Sequence, residues 1–585
     1  MKRFTEVINQ IWVQRGIFFV FSFALLAFLN YDVLYQLFWK NYFLFNSVFY
    51  SQTMGQTAGL LIYCARFLNQ LFRWPVIAAF VISALLTGLE LLLSYLFDRK
   101  NEYRIFCFLP SFLLLHELTT VAYALYSKLE ISYFFAPLVG TFVALLLYFA
   151  YRKVKAYPWG VYCMMGASLL LSPILGFYSL VAGFLMAVNE FADGRKLLLL
   201  GQTILTLIGV TICSKLLYDE RWMHALLAPL PDVSFSELLV PVLLSVAGIF
   251  LLLCKKHLKK MKNVYAMIAF FVAMALLVGW NFTDSHATFR KEMCLSRLCD
   301  EQDWDGILEK IDERENITHT MNAYRVMALS YKKELPQQLF RQKMPFKESP
   351  SDYSSEIAIY YPDLFFHASH LSSALALNFE QWVTFGETYK ALKQFALLAL
   401  MKGENELATR YINIMKGASA LRTLASELEP CVGNLQLLFE KFPYCADIMK
   451  NQMKQDIFLS PRTDFAKTYL LFTQVDGINV ERRLYARLFL GEIDEVIRDV
   501  MVARQQIRYF PPCVQEAFVL KCISSKNNDL MRVIPIDRNL AQRVQSFIQT
   551  YYQFNAKDVK QAGEKLFESY GDLYSYYYFI NFVSK

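Results

Sequence analysis

The sequence predicts an all-α protein in two parts. Residues 1–283 read as a polytopic bundle of about nine transmembrane helices, and 284–585 as a soluble α-solenoid of tetratricopeptide-like helix pairs. Three observations carry this. Mean hydropathy is +0.29 with 16% aromatic residues, which is apolar for a soluble chain. Apolar runs in the first half end in basic clusters that all fit on one side of a bilayer. The second half lacks alternating β-branched runs and repeats its apolar residues at helical spacing.

The formal charge of +8 is unevenly spread. Residues 1–283 hold 22 Lys+Arg against 13 Asp+Glu, and the rest hold 37 against 38, so the basic excess belongs to the apolar half. There it sets topology, and no basic face points to nucleic acid. Lys2, Arg3 and Arg15 precede the first apolar run, and no small-residue cleavage site follows Leu29, so that run reads as a retained span over 16–37. Spans follow at 76–97, after Pro75, and at 105–126 and 134–151. Arg99, Lys100 and Arg104 lie between the second and third, and Arg152, Lys153 and Lys155 follow the fourth. The stretch 159–191 is long for one span and short for two. Arg195 and Lys196 after it require both its ends on one side, which a hairpin turning at Pro173–Tyr178 satisfies. Arms of about 15 residues reach only ~23 Å and need a protein-lined setting. Spans at 197–218, 238–254 and 264–283 complete the set, with Lys255, Lys256, Lys259, Lys260 and Lys262 between the last two. Nine spans place the N-terminus in the cytoplasm and 284–585 outside it, with sixteen Lys/Arg inside and six outside.

The first outer loop, 31–75, is unusual. Nine aromatics fall in residues 31–50, among them Tyr35, Trp39 and Tyr42, and Trp74 closes the loop. Such segments suit helices lying in the headgroup plane, or a wall of a lipid-substrate site.

Beyond residue 283 three stretches read as helix pairs. Phe395–Ala399 leads through Gly403 to Leu407–Ile412, Leu484–Leu488 through Gly491 to Val496–Val500, and Cys294–Leu298 through 303–305 to Ile307–Ile311. Stretches 345–362 and 508–513 read as breaks, and Tyr574–Phe582 as a docked capping helix.

The chain resembles a family of uncharacterised bacterial integral membrane proteins. The pieces that carry the resemblance are Tyr42-Phe-Leu-Phe-Asn-Ser47, Phe67-Leu-Asn-Gln-Leu-Phe-Arg-Trp-Pro75, Ser172-Pro-Ile-Leu-Gly-Phe-Tyr178 and the repeat-like helices after the last span. The resemblance implies an inner-membrane protein with a periplasmic repeat region and brings no activity. Where that family often carries an acid after the Ser47 position, this chain has Val48 and Phe49.

Few residues invite chemistry. Glu90 in the second span and His116-Glu117 in the third form an intramembrane polar cluster, with Glu90 and His116 at depths ~6 Å apart. They fit structural glue between helices or a proton path. Glu190 and Lys215 lie near span ends and can snorkel. Asp32, just past the first span, gives the layout a similarity to membrane glycosyltransferases of the C-type fold, which implies an acid acting on a polyprenyl-phosphate sugar. A helix-end role accounts for it equally. Asp363, His367 and His370 share a spacing that could bind a divalent ion or fill a packed helix. Of 11 cysteines six lie beyond residue 283, with Cys431/Cys445 and Cys513/Cys522 as candidate pairs, and buried thiols as the default. No phosphate-binding loop, dinucleotide fingerprint or zinc-protease motif occurs, so no cofactor is expected. Three functions stay open. The first is a membrane-anchored scaffold binding a protein partner through its repeats, the second a lipid-linked glycosyl transferase, and the third a transporter.

Overall fold

A computed structural model describes residues 10–97, 104–120, 123, 134–157, 159–230, 236–253, 263–348, 350, 353–452, 480–504, 509–553 and 559–583. Among these every regular element is helical, apart from an isolated bridge between Thr318 and Lys347. Contacts divide the chain into two units, residues 1–290 with 382–434, and 291–381 with 435–585. Residues 382–434 thus group with the apolar N-terminal part, across the boundary the sequence suggests at 283/284.

The first unit opens with α1 (Ile11–Ala24), which a π-turn extends to Leu29. Asn30 ends it, its side-chain amide donating to the Leu25 carbonyl at 3.0 Å, and α2 (Tyr31–Lys40) starts as a separate helix. The first apolar helix therefore covers 11–29, not 16–37, and Arg15 lies inside it. α3 (Ser47–Met54) and α4 (Gly59–Leu68) lead to α5 (Pro75–Phe97), where Pro75 suits a helix start because its missing N–H would have no partner there. Next come α6 (Arg104–Thr120), α7 (Ala136–Val154), α8 (Gly160–Leu170), α9 (Ser172–Leu175) and α10 (Phe177–Ala192). α11 (Lys196–Ile212), α12 (Trp222–Leu227), α13 (Ser236–Leu253) and α14 (Asn263–Asn281) follow.

Five helices are long and apolar enough to cross a membrane: 11–29, 75–97, 136–154, 196–217 and 264–281. Four more apolar helices, at 105–120, 160–170, 177–192 and 239–253, are shorter. The expectation of nine full spans is thereby corrected to five helices of crossing length among the described residues. Lys2 and Arg3, Arg99 and Lys100, and the cluster Lys255–Lys262, on which the topology expectation rests, lie outside the described residues.

The 159–191 stretch forms the hairpin its length requires. α8 has 11 residues and α10 has 16, about 16 and 24 Å at helical rise. Bare backbone at such a tip would be costly in hydrocarbon, and here protein covers it. The Ala58 N–H donates to the Pro173 carbonyl (2.9 Å), and the Phe177 N–H to the Ala228 carbonyl (2.8 Å). Gly176, at φ +59°, has no room for a side chain, since a Cβ would lie 2.1 Å from the Ala228 oxygen. The same roof is closed by Glu220, which accepts the Thr57 N–H at 3.0 Å and faces the His224 ring at 3.0 Å.

Into the first unit also fold α21 (Tyr389–Lys402), α22 (Asn405–Gly417) and α23 (Arg422–Leu428), with α21 and α22 joined by Gly403 as the sequence pattern predicts. α20 (Leu371–Phe385) precedes them and, like α15 (Asp284–Asp300), crosses the division between units.

The second unit holds α16 (Trp304–Lys310), α17 (His319–Lys332), α18 (Leu335–Gln338) and α19 (Tyr353–His367). It continues with α24 (Leu435–Lys441), α25 (Pro443–Lys450), α26 (Val480–Leu490), α27 (Ile493–Ala503) and α28 (Pro512–Ser525). It ends with α29 (Arg538–Gln553), α30 (Val559–Tyr570) and α31 (Tyr574–Tyr578), which a π-turn extends to Val583. The pairs α15–α16 and α26–α27 stand where the sequence places them. The break expected over 345–362 ends early, because α19 runs through Pro362 between the buried Tyr360 and Leu364. The second expected break keeps its non-helical residues 509–511 ahead of Pro512, and its residue 508 lies outside the described residues. Buried Glu292 ties this unit internally, accepting from the Thr318 hydroxyl (2.6 Å) and the Tyr360 hydroxyl (2.9 Å). Arg325 donates to the carbonyls of Leu339, Gln338 and Arg341 at the end of α18.

The aromatic C-terminus docks through Glu516. Its carboxylate accepts the N–H groups of Tyr574 and Ser575 (3.1 and 2.8 Å) and the Ser575 hydroxyl (2.8 Å), capping α31 from a distant helix. Burial outweighs these bonds and pushes the carboxyl up to about 7 from an ordinary 4.5. A group raised on folding stabilises most below its unfolded value, and that contribution is lost as pH rises through the folded value. Between pH 4.5 and 7 the wild type should lose on the order of 3 kcal/mol that Glu516→Gln does not lose. Thermal unfolding of both proteins across that window measures the difference, and parallel pH slopes would refute it.

Candidate functional site

The aromatic first loop is the most elaborate feature of the first unit. After α2 the chain runs extended through Asn41–Phe45. This segment is stitched to residues more than 340 positions away. The Tyr389 N–H donates to the Asn41 carbonyl (2.8 Å), and the Tyr389 hydroxyl donates to the Phe43 carbonyl (2.9 Å) while accepting the Phe43 N–H (3.2 Å). The Phe45 N–H donates to the Gly417 carbonyl at 3.0 Å, and the Ser419 hydroxyl donates to Gln70 at 2.6 Å. The α21–α22 hairpin thus holds one non-helical segment of its own chain. Rings seal the clasp. Tyr42 meets Trp382 edge-on at 5.7 Å, Phe38 meets Tyr389 at 5.6 Å, and the Lys393 ammonium lies 4.9 Å over Trp39. Phe43 and Tyr389 are fully buried.

This corrects the interfacial reading of the loop. Tyr42 is buried in protein, and its phenol is pushed up to about 12, by burial first and then by Glu387. Trp39 and Tyr35 are half-buried on α2. Trp74, 53% exposed with Arg73 stacked at 5.4 Å, keeps the form of an interface anchor, and Phe45, Tyr50 and Phe67 of the same loop are also exposed. Lys40, buried at the end of α2, is lowered to about 7 by its burial. Asp32 is half-buried in the first turn of the same helix, where a carboxylate complements unsatisfied N–H groups.

The intramembrane polar residues separate into distinct sites. Glu90, fully buried, receives the guanidinium of Arg15 at 2.5 and 3.2 Å, and Trp12 stacks on that guanidinium at 4.8 Å. His116 turns instead to Trp280, edge-on at 5.3 Å, and to His286 nearby. The shared proton suggested by depth alone is therefore not formed between Glu90 and His116. Glu117 is fully buried within electrostatic reach of Tyr178. Glu190 does not snorkel. It is fully buried, and Lys155 (2.9 Å), Arg195 (3.1 Å) and the Tyr151 hydroxyl come to it.

The Asp363, His367, His370 spacing does not become a metal site. Among the described residues no group of three His, Cys, Asp or Glu side chains is placed to hold an ion. α19 ends at His367, and Ser369 at φ +68° turns the chain, so His370 stands outside the helical face of the other two. The His367 ring packs edge-on to Trp304 at 5.9 Å, and His370 against Phe365 at 5.6 Å, with burial lowering His370 to about 4. Cys431, Cys445, Cys513 and Cys522 are buried thiols, none joined in a disulfide.

Sequence reasoning missed Arg15 as a buried partner, because it precedes the apolar run. It also missed Tyr389 and Trp382, for which the only signal was a loop richer in aromatics than an anchor requires. The chain belongs to a family of unknown function, DUF6057, whose model matches residues 9–581. No curated protein and no solved structure shows detectable similarity to it.

Two substitutions probe these sites. Removing one partner of a buried pair leaves the other charge stranded, so Glu90→Ala should cost ~3–5 kcal/mol, while the double variant Arg15→Leu/Glu90→Leu recovers most of it. Thermal unfolding in detergent reads both, and additive losses would be inconsistent with the pair. Tyr389→Phe deletes two hydrogen bonds of the clasp and should cost about 1–3 kcal/mol. It should also speed proteolysis within 41–45, and an unchanged cleavage rate there would count against the clasp.

Proposed function

We propose that this protein is a multi-pass membrane scaffold that presents a helical-repeat unit to a protein partner on the outer side of a bacterial inner membrane. The clasp supports this reading most directly. Asn41–Phe45 follows the first apolar helix, so the α21–α22 hairpin bonded to it occupies the same compartment as the first loop. The chain must then cross an even number of times between Trp74 and Trp382. The four long apolar helices in that interval satisfy the parity, and an even number of the four shorter ones can join them. The basic clusters select which compartment it is, because lysine and arginine resist translocation.

A binding role fits the chemistry better than an enzyme. Glu90 and Glu190 are locked to cations, Asp363 is buried, the two histidines are packed among rings, and Asp32 serves a helix start. Paired helices, by contrast, present surfaces suited to polypeptides.

Alkaline phosphatase fused after Lys585 should be active and green fluorescent protein dark. A membrane-impermeant maleimide should label Ser419→Cys in whole cells. Label only after permeabilisation, with a fluorescent fusion, would end the proposal. Crosslinking with mass spectrometry should capture protein partners on 291–381 and 435–585, whereas a copurifying polyprenyl-phosphate sugar without them would favour glycosyl transfer.

A further inference from the structure

The second unit carries a half-open cleft of about 580 Å³ that no feature above uses. Its walls are the α26–α27 turn and α28, and its floor is α29 with the C-terminal turn. Gly491, at φ +76°, makes the closure, because the Phe582 ring lies 2.8 Å from where a Cβ would stand. The apolar lining comes from both wall and floor, Leu520 and Ile523 on α28 and Ile548, Tyr552, Phe579 and Val583 below. Three of these remain in water, Tyr552 at 69%, Val583 at 41% and Ile523 at 39% exposed. Exposed apolar surface gathered in a concavity marks a binding site more often than a scattered residue does.

The charges facing the cleft say what fits. Among the described residues Glu492, Asp494 and Glu495 line it against a single cation, Lys521. Glu495 is held from behind by Arg487 (2.7 Å) and Arg498 (2.7 Å), and Glu492, half exposed, lies 3.7 Å from the same Arg487; neither arginine lines the cleft. Asp494 and Lys521 bridge the walls at 2.5 Å with the carboxylate two-thirds exposed. Exposed bridges of this kind contribute little, so an incoming cation can take Asp494 from Lys521. A phosphate group, whether of a lipid headgroup or nucleic acid, would find Lys521 already paired with Asp494 and would lie beside Glu492 and Glu495, a poorer fit than a cation.

We propose that this cleft binds a polypeptide segment in which a lysine or arginine is flanked by aliphatic or aromatic side chains. The cation engages Asp494 and Glu492, and the flanking groups cover Ile523, Tyr552 and Val583. The inference deepens the scaffold reading and rests on it only for the biological partner, because binding in vitro does not depend on topology.

The test uses the full chain in phosphatidylcholine nanodiscs. A phage library of random linear dodecapeptides is panned on the wild type and counter-selected on Tyr552→Asp. Selected peptides should carry Lys or Arg beside apolar residues. Labelled with fluorescein, they should bind at least tenfold more weakly to Asp494→Lys and to Tyr552→Asp. A Lys→Glu peptide should regain affinity on Asp494→Lys, which shows that this variant is folded. Absence of enrichment, enrichment of acidic peptides, or affinity unmoved by both substitutions would overturn the proposal. A cytosolic fusion reporter with intact peptide binding would instead overturn the compartment alone.

Discussion

Where water is scarce, every charge and every backbone polar group must find its partner within the protein. The first unit is organised around that constraint. Arg15 enters the first apolar helix only because Glu90 on α5 meets it, and the pair fixes how those two helices lie together. Glu190 obeys the same rule in reverse, with Lys155 and Arg195 brought inward to a carboxylate that stays buried. The hairpin at 160–192 shows the backbone form of the rule. Its arms are short, so its tip is met by Ala58 and Ala228, which take up the Pro173 carbonyl and the Phe177 N–H.

The same logic continues in the clasp. An extended segment such as Asn41–Phe45 exposes N–H and C=O groups that no helix satisfies. Tyr389 and Gly417 supply partners, and the rings around them exclude water from the bonds. The α21–α22 hairpin therefore spends its surface on its own chain. In the second unit, Glu516 anchors the aromatic terminus that floors the cleft.

Much of this architecture is readable in the sequence because it depends on local pattern. Hydropathy finds the helices at 75–97, 136–154 and 196–217 to within a few residues, and Pro173 to Tyr178 marks the hairpin turn. Gly403 and Gly491 mark turns between paired helices because their backbone takes positive φ. What the sequence hides are pairings between distant residues. Nothing local says that Arg15 meets Glu90, or that Tyr389 meets Phe43. The Asp363, His367, His370 pattern misleads for a related reason. Spacing assumes a continuous helix, and the chain turns at Ser369 before the third ligand. The site is less readable than the fold, since it is built almost wholly from such distant pairings.

The separation of 346 residues between Phe43 and Tyr389 has a consequence for biogenesis. At ~5–20 residues per second, translation delivers Tyr389 about 20–70 s after Phe43. For that interval the segment has left the ribosome without its Tyr389 and Gly417 bonds, with the nearby rings of Phe49, Tyr63 and Phe67 to pack on Phe43. Folding of the first unit therefore includes a waiting period, and it is complete only when the late hairpin arrives to close the clasp.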